Sequence, residues 1–219
     1  MIDGKRIIVS MTSWKKRIGN VPKVVFSLSK NSIKPDLIVC NLSLEEFPDK
    51  KIPEDLQVLA DAGIVEIYWE EKNTTVFKKF IPTIKRFYGE DYFLFTVDDD
   101  ELYSTEYIKV GIDALKTNKA AVIAIRGNET GVWGGRFCCH SSIFKPDYWE
   151  HITEDLISCR MNDPYTNRYL RHYNIKVFNV NKNLTSKFND ICSNRNVVGG
   201  YARQNVKVKR IIDEIWKSF

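Results

Sequence analysis

The sequence predicts an α/β fold: a single domain with a mainly parallel central sheet flanked by helices. Three observations carry this expectation. Short apolar, β-branched runs alternate with longer segments of helical periodicity, the rhythm of successive strand–helix–strand units. No internal repeat or low-complexity linker divides the chain. The 219 residues, 43% of them hydrophobic, are enough to bury one sizeable core.

The first strand is expected at KRIIVSM (5–11), followed by a helix at VPKVVFSLSKN (21–31). The pattern repeats with DLIVCNL (36–42) and the helix PEDLQVLADAG (53–63), which Gly63 stops because glycine enters the left-handed conformation favoured at a helix C-terminus. A third unit pairs IVEIYW (64–69) with FKKFIPTIKRFY (77–88). A fourth pairs DYFLFTV (91–97) with STEYIKVGIDALKTN (104–118), where Ser104 or Thr105 can cap the helix. AAVIAIR (120–126) supplies a fifth strand. After Arg126 the rhythm breaks. A Gly/Trp-rich loop, GNETGVWGGRF (127–137), precedes a strand at HSSIFK (140–145), a helix over 164–173 and a strand at IKVFNV (175–180). The tail, 206–219, is expected to form a basic amphipathic helix with Val208, Ile211, Ile212, Ile215 and Phe219 on one face.

A formal net charge of +5 suits a protein that handles anions, but the 33 basic and 28 acidic residues are interspersed, and no nucleic-acid partner is expected. The five cysteines form neither a CxxC pair nor a zinc spacing, and their odd number fits reduced thiols and a cytoplasmic location. The chain opens on no secretion signal, and no segment approaches the roughly 20 apolar residues of a membrane span. The Asn-x-Ser/Thr triplets at Asn41, Asn73, Asn128 and Asn183 are then chance matches in an Asn-rich sequence.

FLFTVDDDELYS (93–104) sets an apolar strand directly against Asp98, Asp99, Asp100 and Glu101. In open parallel sheets, ligands bind in the crevice outside the carboxyl ends of the strands, which is where these acids fall. Adjacent carboxylates repel unless a cation compensates, and clustered hard oxygen donors suit Mg²⁺ or Mn²⁺. A divalent cation carrying a diphosphate explains the cluster economically; a solvated acidic turn that merely ends the strand explains it too. The glycine-rich fingerprints of dinucleotide and P-loop sites are missing, so a nucleotide has to be held by other means.

Four segments in order, IIVSMTSWKKRI, IKPDLIVCNLSLEEFP, VFKKFIP and FLFTVDDDELY, resemble bacterial glycosyltransferases of the GT-A type, family 2-like and with an Asp-x-Asp motif. The likeness covers roughly residues 5–124 and rests on the joint order of TSWKKRI, FKK and DDD. It implies a GT-A-like domain whose first part, about 1–103, binds a nucleotide-sugar donor, a UDP-sugar by preference. The remainder, about 104–219, faces a glycan or glycolipid acceptor in surface polysaccharide synthesis. A Mn²⁺ or Mg²⁺ cofactor is implied, held by Asp98 and Asp100, with Asp98 also toward the ribose and Asp99 near the donor sugar or a metal-bound water. Thr12, Ser13 and Arg17 follow the first strand, where such enzymes place the nucleobase and ribose; otherwise they form an ordinary polar loop.

Further candidates follow from local chemistry. Lys78, in the first turn of the expected third helix, opposes the helix dipole, which is less unfavourable if a phosphate lies between them; a surface lysine is the alternative. Glu70, ending the third strand, can accept a base N–H or simply be solvated. Trp133-Gly134-Gly135-Arg136 offers a ring for stacking on a sugar, or a Gly-rich turn. His140 can reach a metal, although a hydrogen-bonded strand histidine is the more ordinary role. Asp163 sits where similar glycosyltransferases carry an acidic pair, and an inverting enzyme needs one carboxylate to take the acceptor hydroxyl's proton. Here the pair is Asn162-Asp163, and Asp followed by Pro164 is also a helix start. The tail's basic face suits contact with an anionic membrane, and its apolar face equally suits packing on the domain. Two rival functions stay open: a metal-dependent phosphohydrolase, and a non-catalytic nucleotide- or carbohydrate-binding module.

Overall fold

The computed structural model describes residues 1–118, 121–125, 127–128, 131–132, 136–180 and 201–216. Its sheet is organised around β1 (Arg6–Thr12), an apolar strand buried along Ile7–Met11. β1 pairs in parallel on both sides, with β2 (Leu37–Ser43) and with β4 (Tyr92–Thr96), so that Val9 lies between Ile38 and Phe95. β2 pairs in parallel with β3 (Glu66–Glu70). Beyond β4 the sheet continues with strands from the second part of the chain: β5 (Val122–Ala124), β8 (Phe137–His140) and β9 (Val177–Asn179). The order is β3-β2-β1-β4-β8-β5-β9, with β8 antiparallel to both neighbours and every other pairing in the sheet parallel. A separate two-stranded ribbon joins β6 (Gly127–Asn128) to β7 (Gly131–Val132). The expected mainly parallel α/β sheet is therefore present.

Side chains alternate across β1 and sort the helices onto two faces. Ile7, Val9 and Met11 face α1 (Val21–Ser29), α2 (Glu54–Asp61) and α4 (Tyr107–Thr117). α1 presents Val21, Val24, Val25 and Leu28, the i, i+3, i+4, i+7 stripe of a half-buried helix. α2 ends as expected: Gly63 takes φ +68° and Ile64 N–H bonds back to the Leu59 carbonyl at 3.0 Å. Ile8 faces the other layer, which contains α3 (Ile81–Arg86), α5 (Asp147–Glu150), α6 (Glu154–Ser158), α7 (Asp163–His172) and α8 (Tyr201–Ile215). There Tyr148, Tyr165 and Tyr169 form an aromatic core against Phe80 and Phe144.

Four local expectations need correction. The single helix expected over 77–88 is divided into a 3-10 turn at Thr75–Lys79 and α3, with Phe80 between them in a non-helical conformation and Pro82 in the first turn of α3. The strand expected at 140–145 lies earlier: β8 ends at His140, whose side chain accepts from Ser142 N–H and starts a 3-10 turn. Neither Ser104 nor Thr105 caps α4; their carbonyls instead accept from Tyr107 N–H and Ser32 N–H. The short helices α5 and α6 and the β6–β7 ribbon occupy stretches whose periodicity gave no signal.

Candidate functional site

The strand order reverses beside β1, between β2 on one side and β4 on the other. Such a switch point opens a crevice at the carboxyl ends of the two central strands. The residues that leave those ends are Ser13 after β1 and Asp98 after β4. The acidic run thus stands at the place the topology marks for a ligand.

Its backbone is held from behind by two buried tyrosines. Asp98 N–H donates to the Tyr103 hydroxyl at 2.7 Å, and the Tyr107 hydroxyl donates to the Thr96 carbonyl at 3.2 Å. Burial pushes both phenols well above the ordinary tyrosine range, so they stay neutral. Thr96 also exchanges hydrogen bonds with the backbone of Phe137, at 3.0 Å and 3.2 Å, which brings the start of β8 beside the acidic turn.

Each acid meets a protein cation. Asp98 pairs with Lys79 and, at 3.2 Å, with Arg136 Nε; Arg136 also bonds Glu101. Arg17 pairs with Asp99 at 3.0 Å and with Asp100, and the Ser13 hydroxyl donates to Asp99 at 2.5 Å. Asp99 is 2% exposed. Burial pushes its carboxyl up to about 6, against the opposing pull of Arg17 and Ser13.

Of the residues singled out in sequence, Ser13, Arg17, Asp98, Asp99 and Asp100 converge. Asp163, at the start of α7, lies near enough that its charge acts on Lys79. Thr12 adjoins the group but spends its hydroxyl on the Asn41 carbonyl at 2.7 Å. Lys78 is not in the first turn of an α-helix. It is buried in the 3-10 turn, paired with Glu46 at 2.6 Å and bonded to the Asn73 side chain. Glu70 ends β3, which β2 and β1 separate from β4, with its pKa raised chiefly by burial. His140 lies opposite Phe93, toward the amino end of β4, and pairs with Asp91 at 2.7 Å, away from the acidic turn. Trp133, Gly134 and Gly135 lie outside the described residues.

Lys79, Arg136 and Tyr103 are the site residues the sequence did not single out in these roles. Lys79 adjoins Lys78 in the same FKK signal, and only the 3-10 turn decides which of the two meets the aspartates. For Arg136 and Tyr103 no local pattern announces a partner 35 or 5 residues away.

Among the described residues no three His, Cys, Asp or Glu side chains converge as a complete metal-binding set. Asp98 and Asp100 remain chemically apt for Mg²⁺ or Mn²⁺, which take one or two carboxylates and complete their coordination with substrate phosphates and water. Among the described residues, Asp98, Asp99, Asp100 and Glu101 pair with Arg17, Lys79 and Arg136.

No protein-family model matches the sequence, and no curated protein matches it. Solved structures match the fold. TarS of S. aureus, residues 1–349 in complex with UDP, superposes with a TM-score of 0.62 at 14% identity, over 96% of this chain and 65% of that one. A longer TarS structure gives 0.57 at 15% identity, over 94% of this chain and 39% of that one. The 4-diphosphocytidyl-2C-methyl-D-erythritol synthase of Anaerococcus prevotii gives 0.55 at 10% identity, over 96% and 97%. The chain thus spans about two thirds or less of the TarS structures it matches. Identities this low establish architecture alone: the chain has a GT-A-like α/β fold.

Proposed function

We propose that this protein is a glycosyltransferase that takes a sugar from a nucleotide donor, a UDP-sugar by preference, and passes it to a glycan or glycolipid acceptor. The observation that carries this reading is the acidic turn Asp98–Asp100 at the switch point of the sheet, tied to Ser13 and Arg17 and approached by Asp163. That TarS is described in complex with UDP in the same fold supports the choice of nucleotide. Asp98 and Asp100 would hold Mn²⁺ or Mg²⁺, which when bound stabilises the negative charge growing on the departing diphosphate. Ser13 and Arg17 orient the carboxylates and flank the nucleotide. Asp163 serves as the base for the acceptor hydroxyl, in an inverting displacement. Lys78 stiffens the loop around Glu46 and Asn73 instead of binding phosphate.

The acceptor side includes α7 and α8. The apolar face of α8 is spent on the domain, while Lys209 and Arg210 are exposed, so any contact with an anionic membrane is electrostatic and salt-sensitive. Among the described residues no helix is long and apolar enough to cross a membrane.

A thermal-shift panel of UDP, GDP, CMP, CTP and ADP, with Mn²⁺ or EDTA, tests the reading. UDP should raise the melting temperature strongly only with the metal, and Asp100→Asn should remove that shift while the apo protein melts near wild type. Equal shifts with metal and EDTA refute the metal-diphosphate site. Steady turnover of a simple phosphate ester without acceptor would indicate a phosphohydrolase, and UDP binding without UDP release from any sugar nucleotide would indicate a binding module.

A further inference from the structure

Arg17 reaches the acidic turn from the loop after β1, and its two arms meet carboxylates of different kinds. Nη2 pairs with Asp99 at 3.0 Å, and Nη1 pairs with Asp100. The Asp99 side chain is buried and also accepts from the Ser13 hydroxyl, so this end is locked. The Asp100 side chain is 24% exposed and the Arg17 side chain 37%, so the other end opens to water. The backbone beneath is fixed in a turn. Arg17 N–H and Ile18 N–H both donate to the Trp14 carbonyl, at 2.8 Å and 2.9 Å, Asn20 N–H donates to the Arg17 carbonyl at 2.8 Å, and Ile18 is buried in the layer of α1. Movement at this end therefore falls to the side chain. Arg17 Nε is a buried donor with no hydrogen-bond partner among the described residues, so the guanidinium holds donor capacity that the two carboxylates do not use.

A guanidinium and a divalent cation on one carboxylate repel each other, and the repulsion is relieved when the guanidinium has another anion to pair with. Resting on the reading of the acidic turn as a metal-diphosphate site, we propose that Arg17 is an exchangeable counter-ion, which keeps its hold on Asp99 while its other arm pairs either with Asp100 or with the donor's diphosphate. A planar fork of N–H donors suits both partners, since carboxylate and phosphate oxygens accept from it in the same paired geometry. The consequence is coupling. Arg17 opposes a cation that arrives without a diphosphate and strengthens binding of the two together, so that nucleotide and cation are taken up as one unit.

Wild type, Arg17→Met and Asp100→Asn should be compared in two measurements: Mn²⁺ binding without nucleotide, read by electron paramagnetic resonance of the free ion, and UDP binding by calorimetry, with saturating Mn²⁺ or with EDTA. Arg17→Met should bind Mn²⁺ alone at least about fivefold more tightly than wild type, and UDP with Mn²⁺ at least about tenfold more weakly. The opposite signs are the test. A structural role would weaken both, and a role in nucleotide binding alone would leave Mn²⁺ affinity unchanged; either result overturns the exchange, as does undetectable Mn²⁺ binding by Arg17→Met. Asp100→Asn separates the exchange from the reading beneath it. If UDP binds wild type and Asp100→Asn alike, with Mn²⁺ or with EDTA, the metal-diphosphate site falls and takes the exchange with it. If Mn²⁺ strengthens UDP binding to wild type but not to Asp100→Asn, and Arg17→Met lacks the two opposite shifts, only the exchange falls. Removing Arg17 leaves Asp99 a buried carboxylate without its cation, which costs stability. Should Arg17→Met prove too unstable to assay, the double variant Arg17→Met/Asp99→Asn, judged against Asp99→Asn alone, restores the charge balance and should show the same opposite shifts; their absence refutes the exchange.

Discussion

Single residues decide this site through compensation. Arg136, 3% exposed, places one guanidinium between Asp98 and Glu101 and so fastens the start of β8 to the acidic turn. Removing one partner from a buried ion cluster costs more than the cluster contributes, since charges stay behind in a poor solvent. Arg136→Met should therefore lose about 3–5 kcal/mol in urea unfolding, and adding Glu101→Gln should restore part of it. A fully additive second loss would show that the Arg136–Glu101 pair is not coupled. The aspartates themselves were legible in sequence because three acids after an apolar strand form a local pattern. Their pairing with cations was not, because Arg17, Lys79 and Arg136 reach the acidic turn across 83, 19 and 35 residues, the last on Glu101.

At the scale of elements, close packing explains where small residues fall. Gly111 of α4 lies against Phe95 of β4, and an added Cβ would come within 2.5 Å of the ring and 2.8 Å of Cys138 Sγ. Gly111→Ala should destabilise by about 1–3 kcal/mol despite alanine's better helix propensity, measured by thermal or urea unfolding; a stabilised variant would show that α4 can shift freely. α7 is tied to the β6–β7 ribbon by Asn167, which bonds both the N–H and the carbonyl of Val132 at 2.8 Å and 3.0 Å. α7 begins at Asp163 with Asn162 before it, so Asp163 is not the N-cap that the Asp-Pro pair suggested. Strands and amphipathic helices were legible because each is a local periodicity. The division of the third helix was less so: the 3-10 turn is held by Lys79's carbonyl meeting Ser10 and Asn41, contacts made 69 and 38 residues apart.

The whole molecule depends on its final helix. Val208, Ile211, Ile212 and Trp216 are buried, and the Trp216 ring lies 6.2 Å from Tyr165 and 6.0 Å from Tyr169, covering the aromatic core beside α7. A buried side chain of this kind contributes about 1.5–3 kcal/mol, so four of them rival the roughly 5–15 kcal/mol total stability of a domain. Truncation before Tyr201 should lower the melting temperature by more than about 10 °C or abolish cooperative unfolding. Unchanged melting would mean that α8 is dispensable to the fold.

Sequence alone determined the alternation of strands and helices, the acidic turn after β4 and the amphipathic character of α8, because each is written in neighbouring residues. It left the use of α8's apolar face undecided between membrane and domain, and the described residues place that face in the core. Tertiary structure decided which lysine of the FKK segment meets Asp98, and that Arg136 closes the turn. The physical reason is the same in each case. A charge finds its partner through the sheet order and the layer its helix occupies, and neither is encoded within the few residues over which sequence patterns operate.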